Sequence, residues 1–368
     1  MEAPLVPAYG ESTLADVVPS LATSLGIDGW DDALGLPASD RWVLFLVDGL
    51  GAHNLAAALE EAPFLASLLA ADASTTVTSG APSTTATSIT SLGTALPPGQ
   101  HGIAGYAFRN PVGGGYLNAL TWEPGLSALD VQPRLTAFER LARQGVTLTS
   151  VSPARFAGTG LTECALRGAR FHPVPDEDDH PARIQWTADG AASGEKALVY
   201  LYERSLDHTG HGMGWQTEHW RAALRRIDAM VRDLRDALPD DVRLLVTGDH
   251  GMIDSPQDRW VIAEDVPHLL DDITLVAGEG RFRQFYCDRR HVDAVATRWR
   301  AIMGDRAWVA TRDEAVHAGW FGPVDRRLAD RWGDVLVLCR DDWAVMTRAQ
   351  PKEFGLVGMH GSLTEFEM

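Results

Sequence analysis

Cysteine, basic residues and long apolar runs are all scarce in this sequence. Its 368 residues include three cysteines, Cys164, Cys287 and Cys339, which form no Cys-x-x-Cys pair. An odd, scattered set of this kind predicts buried thiols in a reducing compartment rather than disulfides or a structural zinc site. The N-terminus, MEAPLVPAYGEST, has no basic segment followed by an apolar one, and no apolar run approaches the ~20 residues that cross a bilayer. We therefore expect a cytoplasmic protein with no membrane partner.

The balance of charge excludes another class of partner. Lysine and arginine number 32 against 50 aspartates and glutamates, which gives a formal net charge of -18. A chain of this charge repels nucleic acid and anionic lipid, so we expect no nucleic-acid partner. The sequence also has no P-loop and no Gly-x-Ser-x-Gly segment. An anionic substrate would therefore need a local positive charge, and bound metal is the simplest source.

Short apolar runs alternate with amphipathic segments over most of the chain. Helical spacing is clearest over Thr217–Leu238, where apolar residues recur every three or four positions. Nearly continuous apolar strands separated by helices are typical of a parallel sheet covered on both faces. The sequence therefore predicts a doubly wound, mostly parallel α/β domain over residues 1–368. The four predicted strands are Trp42–Val47, Thr147–Val151, Ala197–Tyr202 and Arg243–Thr247.

Two stretches interrupt this pattern. The acidic segment His172–Ala182 contains PVPDEDDHPA and predicts a solvated loop. The residues from 255 to 355 are less regular and rich in arginine and tryptophan. We interpret them as a smaller α+β cap subdomain inserted against the main sheet.

Residues able to bind metal follow three of the predicted strands and recur near the C-terminus. The carboxyl ends of parallel strands meet at one edge of the sheet, where ligands bind in doubly wound folds. A mixed set of carboxylates and imidazoles suits zinc or another transition metal better than calcium or magnesium. One catalytic zinc takes about three protein ligands, so six candidates indicate two ions. The candidates are Asp48, Asp207, His211, Asp249, His250 and His360.

Asp249 and His250 are adjacent in the segment TGDHGM, and this raises a geometric problem. Successive side chains on a strand point to opposite faces, so two neighbours cannot bind one ion while the strand continues. Gly248 and Gly251 flank the pair. We expect the strand to end there, which lets both side chains turn toward the same metal.

A stretch of small residues, Ser74–Thr94, supplies a candidate nucleophile. Most of its positions are Ser, Thr, Gly, Ala or Pro. Two interpretations remain open, a flexible linker or a closely packed helix over Ala86–Thr94. In the second case, a hydroxyl at the helix start lies where backbone N–H groups and the helix dipole favour phosphate. That is a suitable position for a metal-activated nucleophile.

Five motifs occur in order along nearly the whole chain. They are VDGLG, PSTTATSITSLGTALPPGQHGI, DHTGH, TGDHGM and GMHGS. In this order they make the sequence resemble the nucleotide pyrophosphatase/phosphodiesterase (type I phosphodiesterase) family of the alkaline phosphatase superfamily. The resemblance implies an alkaline phosphatase-like fold, two divalent metal ions, usually zinc, and hydrolysis of a small phosphate diester or pyrophosphate.

The resemblance also implies a role for each motif residue. Thr85 matches the nucleophilic threonine, with Thr84 as the less favoured candidate. One metal would be bound by Asp48, Thr85, Asp249 and His250. The other would be bound by Asp207, His211 and His360. The spacing of Asp207 and His211 suits a turn after the strand, and Gly210 and Gly212 allow that tight path. The implied reaction is attack of Thr85 on phosphorus, followed by hydrolysis of the phospho-threonine by water.

Two positions depart from the family pattern, and both concern the substrate. Ala86 follows Thr85 where nucleotidases of the family usually carry phenylalanine. Tyr106 stands where they usually carry an asparagine that donates to a phosphate oxygen. The tyrosine hydroxyl can donate as well, with Arg109 as a second candidate for substrate binding, and a packing role for Tyr106 is equally open. Nucleotide specificity therefore does not follow from the resemblance.

Two other functions remain open. A phosphomonoesterase or phosphonate hydrolase can use the same scaffold, although a monoesterase needs extra positive charge for which no lysine or arginine is evident. A non-catalytic relative that binds an anion is the alternative outside enzymes, and the complete set of ligands argues against it. A sulfatase is disfavoured because the Cys-x-Pro-x-Arg motif is missing around Thr85.

Overall fold

A five-stranded parallel sheet forms the centre of the computed structural model, which describes residues 3–70 and 74–368. The first two residues of the N-terminal stretch lie outside these ranges. We number the strands of the two larger sheets in chain order. Those of the central sheet are β1 (Arg41–Val47), β2 (Thr147–Pro153), β3 (Arg170–Val174), β4 (Ala197–Glu203) and β5 (Val242–Gly248). Their order is β3-β2-β4-β1-β5, and every neighbouring pair is parallel.

The four predicted strands are all present, each within two residues of its expected bounds. Alternate residues of β1 belong to two apolar cores on opposite faces of the sheet. Trp42, Leu44 and Leu46 pack in one core. Val43, Phe45 and Val47 pack in the other. The strand β1 is therefore buried on both sides, which explains why it reads as a continuous apolar run.

Helices cover both faces of the sheet. The predicted amphipathic helix is confirmed as Glu218–Ala237, and the Thr217 side chain caps it by accepting from the Trp220 N–H. No helix in the described ranges is long and apolar enough to span a membrane. The α-helices of these ranges are Leu14–Ser24, Ala52–Ala56, Pro63–Leu69, Thr85–Thr94, Pro98–His101, Ala128–Val131, Ala137–Arg143, Gly160–Ala165, His180–Ala191, Ser205–Met213, Glu218–Ala237, Val292–Met303 and Arg312–His317.

The predicted loop His172–Ala182 is wrong at both ends. Its first residues belong to β3, an edge strand that pairs only with β2, where a proline such as Pro173 is tolerated. Its last residues begin the helix His180–Ala191, whose first turn is capped by the Asp179 carboxylate accepting from the Ala182 N–H. The acidic and proline residues that indicated a loop are therefore partly helix-start signals.

A second, antiparallel sheet follows the central one in the chain. Its strands are β6 (Ile273–Glu279), β7 (Phe282–Cys287), β8 (Ala307–Thr311) and β9 (Val335–Cys339), in the order β6-β7-β9-β8. One face joins the main core through Phe282 and Leu338. The other packs on the helix Val292–Met303, where the Trp299 and Phe285 rings stack at 4.2 Å. A separate cap over residues 255–355 stays a prediction.

Three short strand pairs complete the β-structure of the described ranges. They are Ala107–Arg109 with Tyr116–Asn118, Ile253–Asp254 with Gly358–Met359, and Trp260–Ile262 with Ala344–Met346. The three cysteines are buried and form no disulfide.

The stretch of small residues forms a helix, Thr85–Thr94, and every residue after Thr85 in it is buried. A Cβ on Gly93 would lie 2.0 Å from the carbonyl oxygen of Ala165. The absence of a side chain at Gly93 therefore lets this helix pack directly on the helix Gly160–Ala165. The same close packing explains the small residues of the sequence, because the helix is enclosed on all sides.

Replacing Gly93 with alanine is expected to lower the free energy of unfolding by about 1–3 kcal/mol, the usual cost of overpacking a core. Urea denaturation of the variant and of Gly355→Ala measures the effect. Gly355 is the matched control, because a Cβ there would meet no atom within 4 Å. Equal stability of the two variants would contradict the close contact at Ala165.

Candidate active site

The start of the helix Thr85–Thr94 faces the carboxyl edge of the central sheet. The Thr85 Oγ1 lies 3.4 Å from Oδ1 of Asp48 and 3.2 Å from Nε2 of His250. In the described part of the chain, the Thr84 hydroxyl makes neither contact. Thr85 is also the first residue of the helix, where the helix dipole favours negative charge. These contacts favour Thr85 over Thr84 as the reactive hydroxyl.

Asp48 and Asp249 directly follow the adjacent strands β1 and β5. The His250 Nε2 lies 3.4 Å from Oδ1 of Asp48 and 3.6 Å from Oδ2 of Asp249. All three side chains are buried. Neighbouring residues Asp249 and His250 thus face one point, because β5 ends at Gly248 as the sequence analysis expects.

The two glycines around Asp249 and His250 are needed for close backbone contacts. A Cβ on Gly248 would lie 2.2 Å from the Leu50 carbonyl oxygen, and one on Gly251 would lie 1.9 Å from that of Phe366. Neither glycine has a positive φ. The strand end is therefore held in place by packing against the loop after β1 and against the C-terminal segment.

Asp207 and His211 lie on the helix Ser205–Met213, one turn apart, with Oδ1 and Nε2 separated by 3.3 Å. The interpretation of this spacing as a turn after the strand is wrong. Four residues are one helical turn, so the two side chains share a face without any special backbone path. Gly210 serves packing, because a Cβ there would lie 2.2 Å from the Met252 sulfur.

His360 follows the short strand Gly358–Met359 and joins the two predicted metal sites. Its Nε2 lies 3.8 Å from Oδ1 of Asp207, and its ring stacks on that of His250 at a centroid distance of 3.6 Å. The structure therefore brings all seven predicted ligand residues together, from the beginning, middle and end of the chain. Two groups of three could each hold one ion, Asp48 with Asp249 and His250, and Asp207 with His250 and His360.

A backbone carbonyl oxygen orients each of the three imidazoles. Each Nδ1 lies 2.7–2.9 Å from a backbone carbonyl oxygen, of Gly358 for His211, Gly251 for His250 and Ser83 for His360. A carbonyl oxygen only accepts, so each Nδ1 carries the proton. In the neutral ring the lone pair is then on Nε2, which points at the carboxylates. Fixing the tautomer through a backbone carbonyl is typical of metal-binding histidines.

Two carboxylate oxygens of the cluster are buried without a hydrogen-bond donor. They are Oδ1 of Asp207 and Oδ2 of Asp249. Burial, together with the neighbouring Asp48 charge, raises the pKa of Asp249 to about 8, and burial raises the pKa of Asp207 to about 6. Burying like charges without a partner is costly, whereas a cation among them would satisfy both oxygens.

The residues present fit two divalent metal ions. Three carboxylates and three Nε2 lone pairs converge, and the unpaired oxygens face the same space. Mixed oxygen and nitrogen donors of this kind suit zinc. Asp48, Thr85, Asp249 and His250 lie as the resemblance implies for one ion. Asp207 and His360 lie together as it implies for the other ion, but the third member of that group is His250, which both groups share, while the His211 Nε2 lies beside Asp207 at 3.3 Å.

A cavity of about 340 Å³ opens beside Thr85, and Asp207, His211 and His360 line it as well. Much of its wall is apolar, with Ile89, Leu120, Phe156 and Leu356 among the lining residues. Tyr106 also lines it and is half-buried. Tyr106 is therefore placed to meet a substrate.

Arg109 lies apart from the cavity lining. Its guanidinium lies 4.4 Å above the Tyr286 ring centroid and 4.0 Å from the Asp334 carboxylate. In the described ranges the cations that line the cavity are Arg204 and Lys352. Arg204 pairs with Glu177 at 3.0 Å, and it shares that carboxylate with Arg155.

Tyr202 is a site residue that the motifs did not identify. It is the second-last residue of β4, its ring lines the cavity, and its hydroxyl donates to Oδ2 of Asp48. Oδ1 of Asp48 is thereby left to face Thr85 and His250. The available signal was the spacing of Tyr200 and Tyr202 at a strand end, which puts both rings on the face that carries the cavity.

Replacing Tyr202 with phenylalanine is expected to weaken metal binding about 10-fold, the lower end for loss of a hydrogen bond to a metal ligand. Competition with a chromogenic chelator measures this without reference to activity. Tyr200→Phe is the matched control, because its hydroxyl makes no hydrogen bond to Asp48 in the described residues. Unchanged affinity in Tyr202→Phe would contradict the orienting contact.

Comparison with known proteins gives a family and a fold. A family model described as type I phosphodiesterase / nucleotide pyrophosphatase matches residues 42–363. Ectonucleotide pyrophosphatase/phosphodiesterase family member 7 of Rattus norvegicus is 28% identical over 102 residues, 26% of this chain. The match spans only 23% of that relative.

Solved structures of ectonucleotide pyrophosphatase / phosphodiesterase 5 resemble most of the chain. An inactive murine variant in complex with AMP gives a TM-score of 0.68 at 14% identity, over 89% of this chain and 86% of that one. The human protein gives a TM-score of 0.66 at 16% identity, with the same coverage. At such identities the likeness shows the fold, and it confirms the predicted α/β class.

The family match begins in the strand β1 and includes all seven predicted ligand residues, from Asp48 to His360. It covers most of the described residues and leaves out only the N-terminal segment and the last five residues. The chain therefore belongs to the type I phosphodiesterase / nucleotide pyrophosphatase family, a family of phosphodiester hydrolases.

Proposed function

We propose that this protein hydrolyses phosphate diester or pyrophosphate bonds through a covalent intermediate on Thr85. One observation carries the proposal: the Thr85 Oγ1 lies 3.2–3.4 Å from the His250 Nε2 and the Asp48 carboxylate, at a helix start that opens on the cavity. Two divalent cations would supply the charge that keeps Thr85 deprotonated and neutralises the phosphate oxygens. The mixed nitrogen and oxygen ligand atoms favour zinc for both ions.

The residues of the chain account for the rest of the reaction. Oγ1 of Thr85 forms a bond to phosphorus, and the ester oxygen on the opposite side leaves with its bonding electrons. Water then cleaves the bond between phosphorus and Thr85 and returns the hydroxyl. The helix dipole favours the negative charge at Thr85, and the first N–H groups of the helix can donate to phosphate oxygens.

The charges around the cavity favour a diester over a monoester. A monoester carries a second negative charge that needs its own cation. Among the described lining residues, Arg204 is paired with Glu177 and Lys352 lies exposed at the cavity mouth. The apolar wall also suits a second esterified group on phosphorus. Both features support a phosphodiesterase rather than a phosphomonoesterase or phosphonate hydrolase.

The proposed function predicts that zinc-loaded protein hydrolyses bis(p-nitrophenyl) phosphate with at least about 10-fold higher kcat/KM than p-nitrophenyl phosphate, a preference worth one factor of ten in transition-state binding. Release of p-nitrophenol under matched conditions measures both rates. A higher value for the monoester would favour the phosphomonoesterase instead. No turnover of either ester by the metal-loaded chain would favour the non-catalytic anion-binding relative.

The cytoplasmic location is also a proposal. Three buried, unpaired cysteines agree with a reducing compartment. Fractionation of the producing cell, with detection of the native chain, tests it directly.

A further inference from the structure

Glu279 is a carboxylate in the cavity wall that no part of the proposed reaction uses. It is the last residue of β6, at the turn that leads into β7. Its side chain is 12% exposed and lines the cavity. Oε1 is buried and has no hydrogen-bond partner. Oε2 lies 3.7 Å from Nδ1 of His360, beyond hydrogen-bond distance.

The donors nearest to Glu279 form hydrogen bonds or ion pairs with other groups. His360 Nδ1 donates to the Ser83 carbonyl oxygen at 2.9 Å, so its one proton is taken. Arg281 pairs with Glu367 at 2.6 Å. Arg283 pairs with Glu353 and also donates to the Val345 carbonyl oxygen. The two nearest arginines of the hairpin therefore leave the Glu279 carboxylate without a donor in the described structure.

The position of Glu279 is fixed by packing. A Cβ on Gly361 would lie 2.9 Å from the Glu279 side chain, so the carboxylate rests directly on that glycine. A buried acceptor without a donor is costly, because nothing replaces the hydrogen bonds it makes to water. Burial, together with the nearby Glu353 charge, raises the pKa of Glu279, so its ionised form needs a donor or a cation to stabilise it. What it can bind is a hydrogen-bond donor on the group esterified to phosphorus.

We propose that Glu279 selects substrates whose esterified group carries a hydrogen-bond donor, a hydroxyl or an ammonium, a few bonds from the ester oxygen. The proposal rests on the proposed function. The His360 ring contacts both carboxylates, with Nδ1 3.7 Å from Oε2 of Glu279 and Nε2 3.8 Å from Oδ1 of Asp207. Glu279 therefore lies beside the candidate metal site and lines the same cavity.

Three diesters with the same leaving group test the proposal. They are propyl, hydroxypropyl and aminopropyl p-nitrophenyl phosphate, which differ only in the donor at the end of the alkyl chain. For the native zinc-loaded protein we expect kcat/KM for at least one donor-bearing ester to exceed that of the propyl ester about 10-fold, since a hydrogen bond to a charged group is worth roughly that factor or more. The hydroxyl and amine arms separate a neutral donor from a cation.

Variants assign the preference to one residue. In Glu279→Leu the ratio should fall to near one, and in Glu279→Gln, which keeps one acceptor oxygen and the side-chain shape, it should be intermediate. Lys352→Ala is the matched control at the same cavity, and it should retain the preference. A native ratio near one, or a ratio that survives in Glu279→Leu, would overturn the proposal.

The outcome is distinguishable from failure of the proposed function. If no diester is hydrolysed, the proposed function fails. Calorimetry then measures the binding of the same three diesters. If Glu279 has the proposed role, the donor-bearing esters bind about 10-fold more tightly than the propyl ester and lose that advantage in Glu279→Leu.

Discussion

Replacing Thr85 with alanine is expected to lower kcat/KM for bis(p-nitrophenyl) phosphate by about three orders of magnitude or more, because the variant loses the nucleophile of the covalent pathway. The remaining site should still bind metal. Two carboxylates and two imidazoles around the position do not depend on the Thr85 hydroxyl for their placement, since each histidine is held by a backbone carbonyl.

Two measurements and two control variants define this result. Initial rates give the loss of turnover, and metal analysis of the same sample shows whether both ions are retained. Thr84→Ala is the matched control, because Thr84 precedes the helix and lacks the contacts to Asp48 and His250. Thr85→Ser keeps a hydroxyl and should recover a large part of the activity. Activity of Thr85→Ala within about 10-fold of the native chain, a loss too small for a missing nucleophile, would rule out Thr85 in that role.

Replacing Asp249 with asparagine is expected to have opposite effects on the metal-free and metal-loaded protein. Without metal, the variant removes one of the two buried carboxylates that follow β1 and β5, and it should unfold at the same temperature as the native chain or higher. With zinc, it lacks an anionic ligand and should lose both the metal-dependent rise in Tm and the phosphodiesterase activity. For the native chain, zinc at 1,000 times its Kd adds about 4 kcal/mol of stability.

Thermal denaturation with zinc and with a chelator gives both halves of this prediction in one experiment. Asp228→Asn is the matched control. Asp228 is also buried, but it accepts from the Phe64 and Leu65 backbone N–H groups far from the cavity. That variant should lose stability equally in both conditions, so the difference that zinc makes stays unchanged. An Asp249→Asn protein that keeps the full zinc-dependent shift would contradict the ligand role.

The sequence was sufficient for the parts of the fold in which local pattern and burial agree. The strands β1 and β4 are apolar over most of their length and buried, because both faces of the sheet are covered there. The helix Glu218–Ala237 has a clear apolar face and a threonine cap. By contrast, β3 was missed because an edge strand need not be apolar, and RFHPV includes a proline.

Part of the candidate site could likewise be predicted from the sequence, and part of it could not. The seven predicted ligand residues come together because strand ends and the helix Thr85–Thr94 meet at one edge of the sheet. Asp207 and His211 were assigned the right proximity with the wrong local structure, since a spacing of four also fits one helical turn. Tyr202 and Glu279 belong to no motif. Their roles depend on which side chains face the cavity, and that follows only from the packing of β4 and β6.

Arg109 shows that closeness to Tyr106 in the sequence does not predict a place in the cavity wall. It lies three residues after Tyr106, yet its guanidinium packs on Tyr286 and approaches Asp334. On the strand Ala107–Arg109 the side chains alternate, and the second sheet supplies partners for arginine that the sequence order does not reveal.

Mass spectrometry of the peptide that contains Thr85, after rapid acid quench of a single turnover, tests the central claim most directly. With bis(p-nitrophenyl) phosphate, one p-nitrophenolate leaves and a p-nitrophenyl phosphoryl group is transferred to Oγ1 of Thr85. We expect that adduct on Thr85 in the native zinc-loaded protein and its absence in Thr85→Ala. A burst of p-nitrophenol with the adduct on another residue, or full turnover by the Thr85→Ala protein, would contradict the account.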